Sequence, residues 1–196
     1  MTADERYTKT RAVLLAALMV VSVAGGSIAF AGTAAAATIT VDDDAGSGDY
    51  SSIQTALDNA ATGDTITVAA GTYQPFTVST ADVTVQSATG AMPVVDGSGS
   101  STVVTIDADG VTLAGFEIVG DSATKDGVAI TGDRAGITVK NNVIHGMAKA
   151  DAGSGGIDGA TYAIHNWGGA LDGVVVRNNE IYEVGTTGYN DGDGTS

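Results

Sequence analysis

The sequence predicts an all-β solenoid: a stack of coils built from short strands, with one N-terminal helix capping the first coil. Three runs of nearly the same residue order are the main reason. They are Gly110-Val111-Thr112-Leu113-Ala114-Gly115-Phe116-Glu117-Ile118, Gly136-Ile137-Thr138-Val139-Lys140-Asn141-Asn142-Val143-Ile144 and Gly173-Val174-Val175-Val176-Arg177-Asn178-Asn179-Glu180-Ile181. The opening glycines, Gly110, Gly136 and Gly173, are 26 and then 37 residues apart, a period that marks stacked supersecondary units and not a globular α/β domain. Composition is the second observation. The 28 Gly against 3 Phe and 1 Trp in 196 residues describe many turns and small side chains around one elongated core. The third is that short alternating runs at 76–79, 83–86 and 94–96 follow one another with turn residues between them, and that strands from there on read as three to five residues long.

Taken in order, residues 1–37 read as a signal peptide. A short head carries Arg6, Lys9 and Arg11, an apolar stretch runs over residues 12–31, and Gly32-Thr33-Ala34-Ala35-Ala36-Ala37 follows. Ala34 with Ala36, and Ala35 with Ala37, each satisfy an A-x-A rule, so the cut falls after Ala36 or after Ala37. About 20 apolar residues also suffice to span a bilayer, so an uncleaved anchor is the alternative. No twin-Arg pair precedes the apolar stretch and the chain has no Cys to take a lipid, which points to the general secretory route and to membrane contact only through the leader before cleavage. Residues 38–196 then form the β domain, expected to be incomplete at its C-terminus because the tail after the third repeat, Gly188-Tyr189-Asn190-Asp191-Gly192-Asp193-Gly194-Thr195-Ser196, contains no cap for an open sheet end.

The leader residues Lys9-Thr10-Arg11-Ala12-Val13-Leu14-Leu15-Ala16-Ala17-Leu18-Met19-Val20 and Ala29-Phe30-Ala31-Gly32-Thr33-Ala34-Ala35-Ala36 resemble the signal region of haloarchaeal cell-surface glycoproteins of the S-layer type. The resemblance implies a secreted or cell-surface address and a salt-adapted source. The chain departs from surface-layer glycoproteins in having no Asn-X-Ser/Thr sequon, so it reads as an exported protein with a shared leader and not as a lattice subunit.

Within the β domain, Ser51-Ser52-Ile53-Gln54-Thr55-Ala56-Leu57-Asp58-Asn59-Ala60-Ala61 has apolar residues at helical spacing, with Ser51 as N-cap and Gly63 as stop. Thr65-Ile66-Thr67-Val68 alternates as the next strand and Gly71-Thr72-Tyr73 turns the chain onward. In the repeats, Val111, Leu113 and Ile118 point inward, with Ile137, Val139, Ile144 and then Val174, Val176, Ile181 stacked beneath them at about 4.8 Å per coil. Gly115, Asn141 and Asn178 fall at one corner, where a left-handed backbone is needed. Phe116, Asn142 and Asn179 follow, so Asn141, Asn142, Asn178 and Asn179 read as a structural ladder of bends and stacked amides. A second strand column aligns Val104-Thr105-Ile106, Val128-Ala129-Ile130 and Tyr162-Ala163-Ile164. Its connections lengthen down the stack, and residues 146–156 read as structureless by composition. Long loops beside a regular sheet are where a binding cleft is built.

Asp44-Ala45-Gly46-Ser47-Gly48-Asp49-Tyr50, Ile53-Gln54-Thr55-Ala56-Leu57, Gly63-Asp64-Thr65-Ile66-Thr67-Val68 and Ala70-Gly71-Thr72-Tyr73, together with the three repeats, resemble a right-handed parallel β-helix of the pectin-lyase-like superfamily. The start is most similar to the opening segment of pectinesterases, and the likeness covers nearly all of residues 38–185. Many functions share that fold. Pectinesterase-like and polygalacturonase-like members bring paired or triple Asp from neighbouring coils, and lyases bring a calcium-binding carboxylate cluster with a basic residue. This sequence shows none of these patterns.

The whole chain holds 23 acidic and 8 basic residues. Leaving out Asp4 and Glu5, and Arg6, Lys9 and Arg11, leaves 21 against 5 for residues 38–196, a balance that excludes nucleic acid as a partner and repels anionic membrane. The Asp excess reads as salt adaptation, since in multimolar salt the Debye length is about 3 Å or less and the self-repulsion is screened. Calcium at Asp42-Asp43-Asp44 is the lesser reading, and no metal ligand set is assigned because the run resembles neither an EF-hand nor a zinc motif. With no Cys, disulfides and thiolate metal sites are excluded.

Chemistry-bearing side chains concentrate in the last two coils: Lys140 above Arg177, Val143 above Glu180, and His145 above Tyr182. Lys140 or Arg177 suits a uronate carboxylate or an α-proton, Glu180 and His145 suit acid–base work, and Tyr182 suits a sugar ring. The bland reading of the same residues is a solvated strand face with ordinary salt pairs. His165, expected beneath Thr131 and Asp107, and Trp167, the only Trp, form a further sugar platform, against the bland reading of a ring packed over a sheet edge. The function expected is an exported cell-surface protein that binds polysaccharide, a cell-surface glycan or another extended surface ligand without catalysis. The alternative is a polysaccharide lyase or pectinesterase-like enzyme worked by Lys140, Arg177, Glu180 and His145. A copper-handling accessory factor of the nitrous-oxide-reductase maturation type is disfavoured by two His and no Cys.

Overall fold

The computed structural model describes residues 35–44, 48–150 and 161–187. Among them the chain is all-β apart from one helix, and every strand pairing is parallel. Three sheets carry most of the strands. The first orders Thr38–Val41, Thr65–Val68, Thr84–Ser87, Thr112–Ala114, Thr138–Lys140 and Val175–Arg177. The second orders Thr72–Tyr73, Val94–Asp96, Glu117–Val119, Val143–His145 and Glu180–Ile181, and the third Phe76–Val78, Thr102–Ile106, Asp126–Thr131 and Tyr162–Trp167. Arg134–Ala135 with Leu171–Asp172, and Met147–Ala150 with Val184–Thr187, form two smaller pairs. From Thr84 to Thr131 the chain visits the first, second and third sheets in turn, twice over.

That order follows from the strand sequences. Parallel strands cannot be joined by a hairpin, so each needs a crossover, and here the crossovers are themselves the strands of the other two sheets. In the first sheet Ile66, Val85, Leu113, Val139 and Val176 occupy one register row. In the second, Tyr73, Val95, Ile118, Ile144 and Ile181 do the same. The side chains of Ile66, Val85, Leu113, Val139, Ile118 and Ile144 are fully buried in one hydrophobic core. Period-2 alternation places the intervening Thr65, Thr67, Thr84, Thr112 and Thr138 half-exposed. Each of the inward side chains buried in this way contributes about 1.5–3 kcal/mol relative to exposure.

The helix runs Ile53–Asp58 and buries Ile53, Ala56 and Leu57. Its N-cap is Ser52, one residue later than the spacing suggested, because the Ser52 side chain accepts from the Thr55 amide. Asn59 closes the other end, ahead of Gly63, whose φ of +91° serves the turn into Thr65.

Corners obey the same chemistry. Asn141 and Asn178 take φ of 56° and 55°, matching Gly115 at 84°. The next residues make a ladder: the Asn142 Nδ2 donates to Asn179 Oδ1 at 3.1 Å and to Leu113 O at 3.2 Å, and Asn142 Oδ1 accepts from the Phe116 amide at 3.0 Å. Asn179 Nδ2 continues to Val139 O at 2.9 Å.

Two strands, Asp126–Thr131 and Tyr162–Trp167, reach six residues and exceed the expected length. Residues 147–150 are a strand and not loop: Met147 is fully buried, and the run pairs with Val184–Thr187. Residues 151–156, the rest of the predicted loop, lie outside the described residues, as do residues 157–160, residues 1–34 of the leader and the tail 188–196.

Candidate functional site

Asp126 opens its strand and is 1% exposed. A carboxylate taken out of water needs full hydrogen-bonding compensation, and two rings from the next strand in the third sheet supply it. His165 Nδ1 stands 2.8 Å from Asp126 Oδ1, and Trp167 Nε1 donates to Asp126 Oδ2 at 2.8 Å. Tyr162 stacks on the His165 ring with centroids 4.1 Å apart, and the His165 and Trp167 centroids are 4.6 Å apart. Both carboxylate oxygens are thus occupied. With Nδ1 engaged by Asp126, Nε2 is the ring nitrogen left for a further hydrogen bond. Trp167 is 53% exposed and Tyr162 is exposed, so a set of ring faces is presented to solvent while the polar atoms that orient it are buried.

Backbone approach makes this grouping possible. A Cβ on Gly127 would come within 2.7 Å of both Ala163 O and Ile144 Cγ2, so only Gly lets the two strands and the second-sheet core meet there. The register is Asp126 opposite Tyr162, Ala129 opposite His165 and Thr131 opposite Trp167. This corrects the sequence alignment of the column, which put His165 beneath Thr131 and Asp107. The strand is shifted by two residues, a shift that preserves the alternation of faces and so leaves no trace in the hydrophobic pattern. Thr131 and Asp107 instead belong to a network with Arg134. Thr131 Oγ1 donates to Asp107 Oδ1 at 2.7 Å and Arg134 forms an ion pair with the same oxygen. The Thr131 hydroxyl first, and then Arg134, hold the Asp107 carboxyl below its usual range.

A second histidine cluster lies on the second sheet. His145 Nε2 is 2.9 Å from Glu117 Oε1, and the His145 ring stacks on Tyr182 with centroids 4.6 Å apart and planes 9° from parallel. Desolvation first, then the carboxylates of Glu117, Glu180 and Glu183, push the Tyr182 phenol above its ordinary value.

Of the residues singled out from sequence, His165 meets Trp167 and His145 meets Tyr182. Lys140 pairs in register with Arg177 on the first sheet, and Glu180 lies opposite Val143 on the second. Among the described residues no hydrogen bond or ion pair links Lys140 or Arg177 to Glu180 or His145; His145 takes Glu117 as its carboxylate partner instead. Asn141, Asn142, Asn178 and Asn179 serve the corner and ladder already described. Sequence reasoning missed Asp126, Tyr162 and Glu117 as site residues. The one signal was an Asp opening an otherwise apolar strand, Asp126-Gly127-Val128-Ala129-Ile130.

Among the described residues no group of three or more His, Asp or Glu is arranged to hold a metal ion. In the Asp42-Asp43-Asp44 run, Asp43 Oδ2 accepts from the Thr72 amide at 2.9 Å and Asp42 Oδ1 from the Asp44 amide at 3.0 Å. Those two carboxylates serve the backbone. No described helix is long and apolar enough to cross a membrane. No family model matches the chain, and no curated protein or solved structure compared with it matches either.

Proposed function

We propose that the chain is an exported, salt-adapted cell-surface protein whose three parallel sheets are those of a right-handed parallel β-helix of the pectin-lyase-like superfamily. In this reading it binds polysaccharide or another extended surface glycan without catalysis. The observation that carries the reading is the Trp167, His165 and Tyr162 ring set oriented by buried Asp126. Exposed ring faces match the C–H faces of a pyranose, while His165 Nε2 hydrogen-bonds to a sugar hydroxyl, which can donate or accept. Rigid placement lowers the ordering cost of binding. Repeating strands at one spacing also suit a ligand that repeats along its own length.

Trp167 is the only tryptophan, so its fluorescence reports directly on this site. The experiment is a titration with neutral and uronate polysaccharides in molar salt, with bound glycan also measured by calorimetry for Trp167→Ala. A saturable fluorescence shift, and loss of the calorimetric signal in the variant, support the reading. No response across the panel, or binding unchanged in Trp167→Ala, sinks it. Release of free or unsaturated sugar ends by the wild-type protein, lost in a folded Arg177→Ala, would move the assignment to an enzyme.

A further inference from the structure

Among the described residues, Ala37 is the first that is hydrogen-bonded to the β domain. Its amide nitrogen donates to Asp64 Oδ1 at 2.7 Å, and its carbonyl accepts from the Thr65 amide at 2.8 Å. Asp64 is 6% exposed, and its other oxygen accepts from the Ala61 amide at 2.8 Å. Ala35 and Ala36 are exposed and outside any strand. The two sequence rules for removing the leader, cutting after Ala36 or after Ala37, are therefore not equivalent for the folded domain. A cut after Ala37 removes the donor to Asp64 Oδ1 and the acceptor for the Thr65 amide together, leaving the buried carboxylate with the Ala61 amide alone. A cut after Ala36 keeps both bonds and changes only the charge of one.

We propose that the leader is removed by hydrolysis of the Ala36–Ala37 peptide bond, and that Asp64 captures the new α-ammonium of Ala37 as an ion pair closing the first rung of the first sheet. Water supplies the hydroxyl that completes the Ala36 carboxylate, the peptide C–N bond breaks, and the freed Ala37 nitrogen takes up protons to become the ammonium. An export peptidase is the catalyst. The nitrogen lies at hydrogen-bonding distance from a carboxylate with little access to water, where a charged donor bonds more strongly than an amide. Two backbone N–H groups already hold the Asp64 carboxyl below its usual range, so it is ionised to receive the cation. The inference rests on the export reading, and the mass measurement separates the two.

The test is the intact mass of the protein recovered from the medium or cell surface, with its N-terminal residue sequenced. A chain beginning at Ala37 supports the inference. A chain lighter by that one alanine, beginning at Thr38, or one beginning at any other position after the leader's apolar stretch, overturns the inference and leaves export standing. A chain at the cell surface still beginning at Met1 overturns the inference and makes the leader an anchor, whereas a Met1 chain found only inside the cell overturns export as well. A second readout tests the ion pair on the same exported protein, by following Tm from pH 7 to 10 for wild type and Asp64→Asn. The partner raises the ammonium's folded pKa, so its contribution is full below the unfolded value of about 8 and is lost as pH rises through the folded one. Asp64 is the one titratable side chain bonded to that nitrogen among the described residues. Wild type is expected to lose Tm over this range more steeply than Asp64→Asn, and parallel curves would overturn the pair.

Discussion

Each histidine meets one carboxylate and one tyrosine ring, yet the two clusters are built differently. At His165 the carboxylate is Asp126, its side chain 2% exposed, with both oxygens used and a tryptophan added. At His145 it is Glu117, its side chain 31% exposed and bonded through one oxygen. The same residue types thus give a desolvated, fully satisfied anchor in one place and a partly wet contact in the other. Burial decides what each is worth, because a bond that water can replace contributes little and one that water cannot reach is costly to break.

The largest expected effect is at the anchor. Asp126→Ala leaves the His165 and Trp167 N–H groups without their shared acceptor and is expected to cost about 2–3 kcal/mol, seen as a lowered midpoint in urea unfolding. Glu117→Ala at the other cluster is expected to cost less than about 1 kcal/mol by the same measurement. Equal losses would erase the distinction drawn between the clusters. On ligand binding, Trp167→Ala is expected to weaken glycan affinity by about tenfold or more, roughly 1.4 kcal/mol, while Tyr182→Ala stays within about twofold. A reversed order in calorimetry would move the binding site to the second sheet. The smallest effect is a titration. Because the folded environment raises the Tyr182 phenol above 10.0, its contribution is present below the unfolded pKa and lost as pH rises through the folded value. Burial first, and then Asp43, raise the Tyr73 phenol as well, so an ultraviolet titration should show late-ionising phenols of which one disappears in Tyr182→Phe; loss of an ordinary phenol instead, with the late ones all retained, would remove Tyr182 from the account.

The register rows were legible in the chain because neighbouring positions in a parallel sheet share one environment, and Leu113 and Val139 answer it with the same kind of side chain. The corner residues were legible for a similar reason: Gly115, Asn141 and Asn178 are the types that tolerate positive φ. The third column was not. Its last strand slips by two residues, and since a slip of two keeps each side chain on its face, hydrophobic alternation cannot register it. Burial in the last described strands of the first two sheets was equally hidden. Val176 and Ile181 continue the rows of Val139 and Ile144, which are fully buried, yet are 50% and 48% exposed. A periodic sequence states which way a side chain points, and not whether a neighbour covers it.

By itself the sequence determined the all-β character, the parallel rows, the positive-φ corners and the heavy negative charge, because each depends on residue type and local spacing. Only the tertiary structure decided that Asp126 would gather His165 and Trp167 from 39 and 41 residues away, that His145 would meet Glu117, and that Ala37 would meet Asp64. Those contacts depend on crossover lengths and strand register, which set long-range distances that no local pattern records.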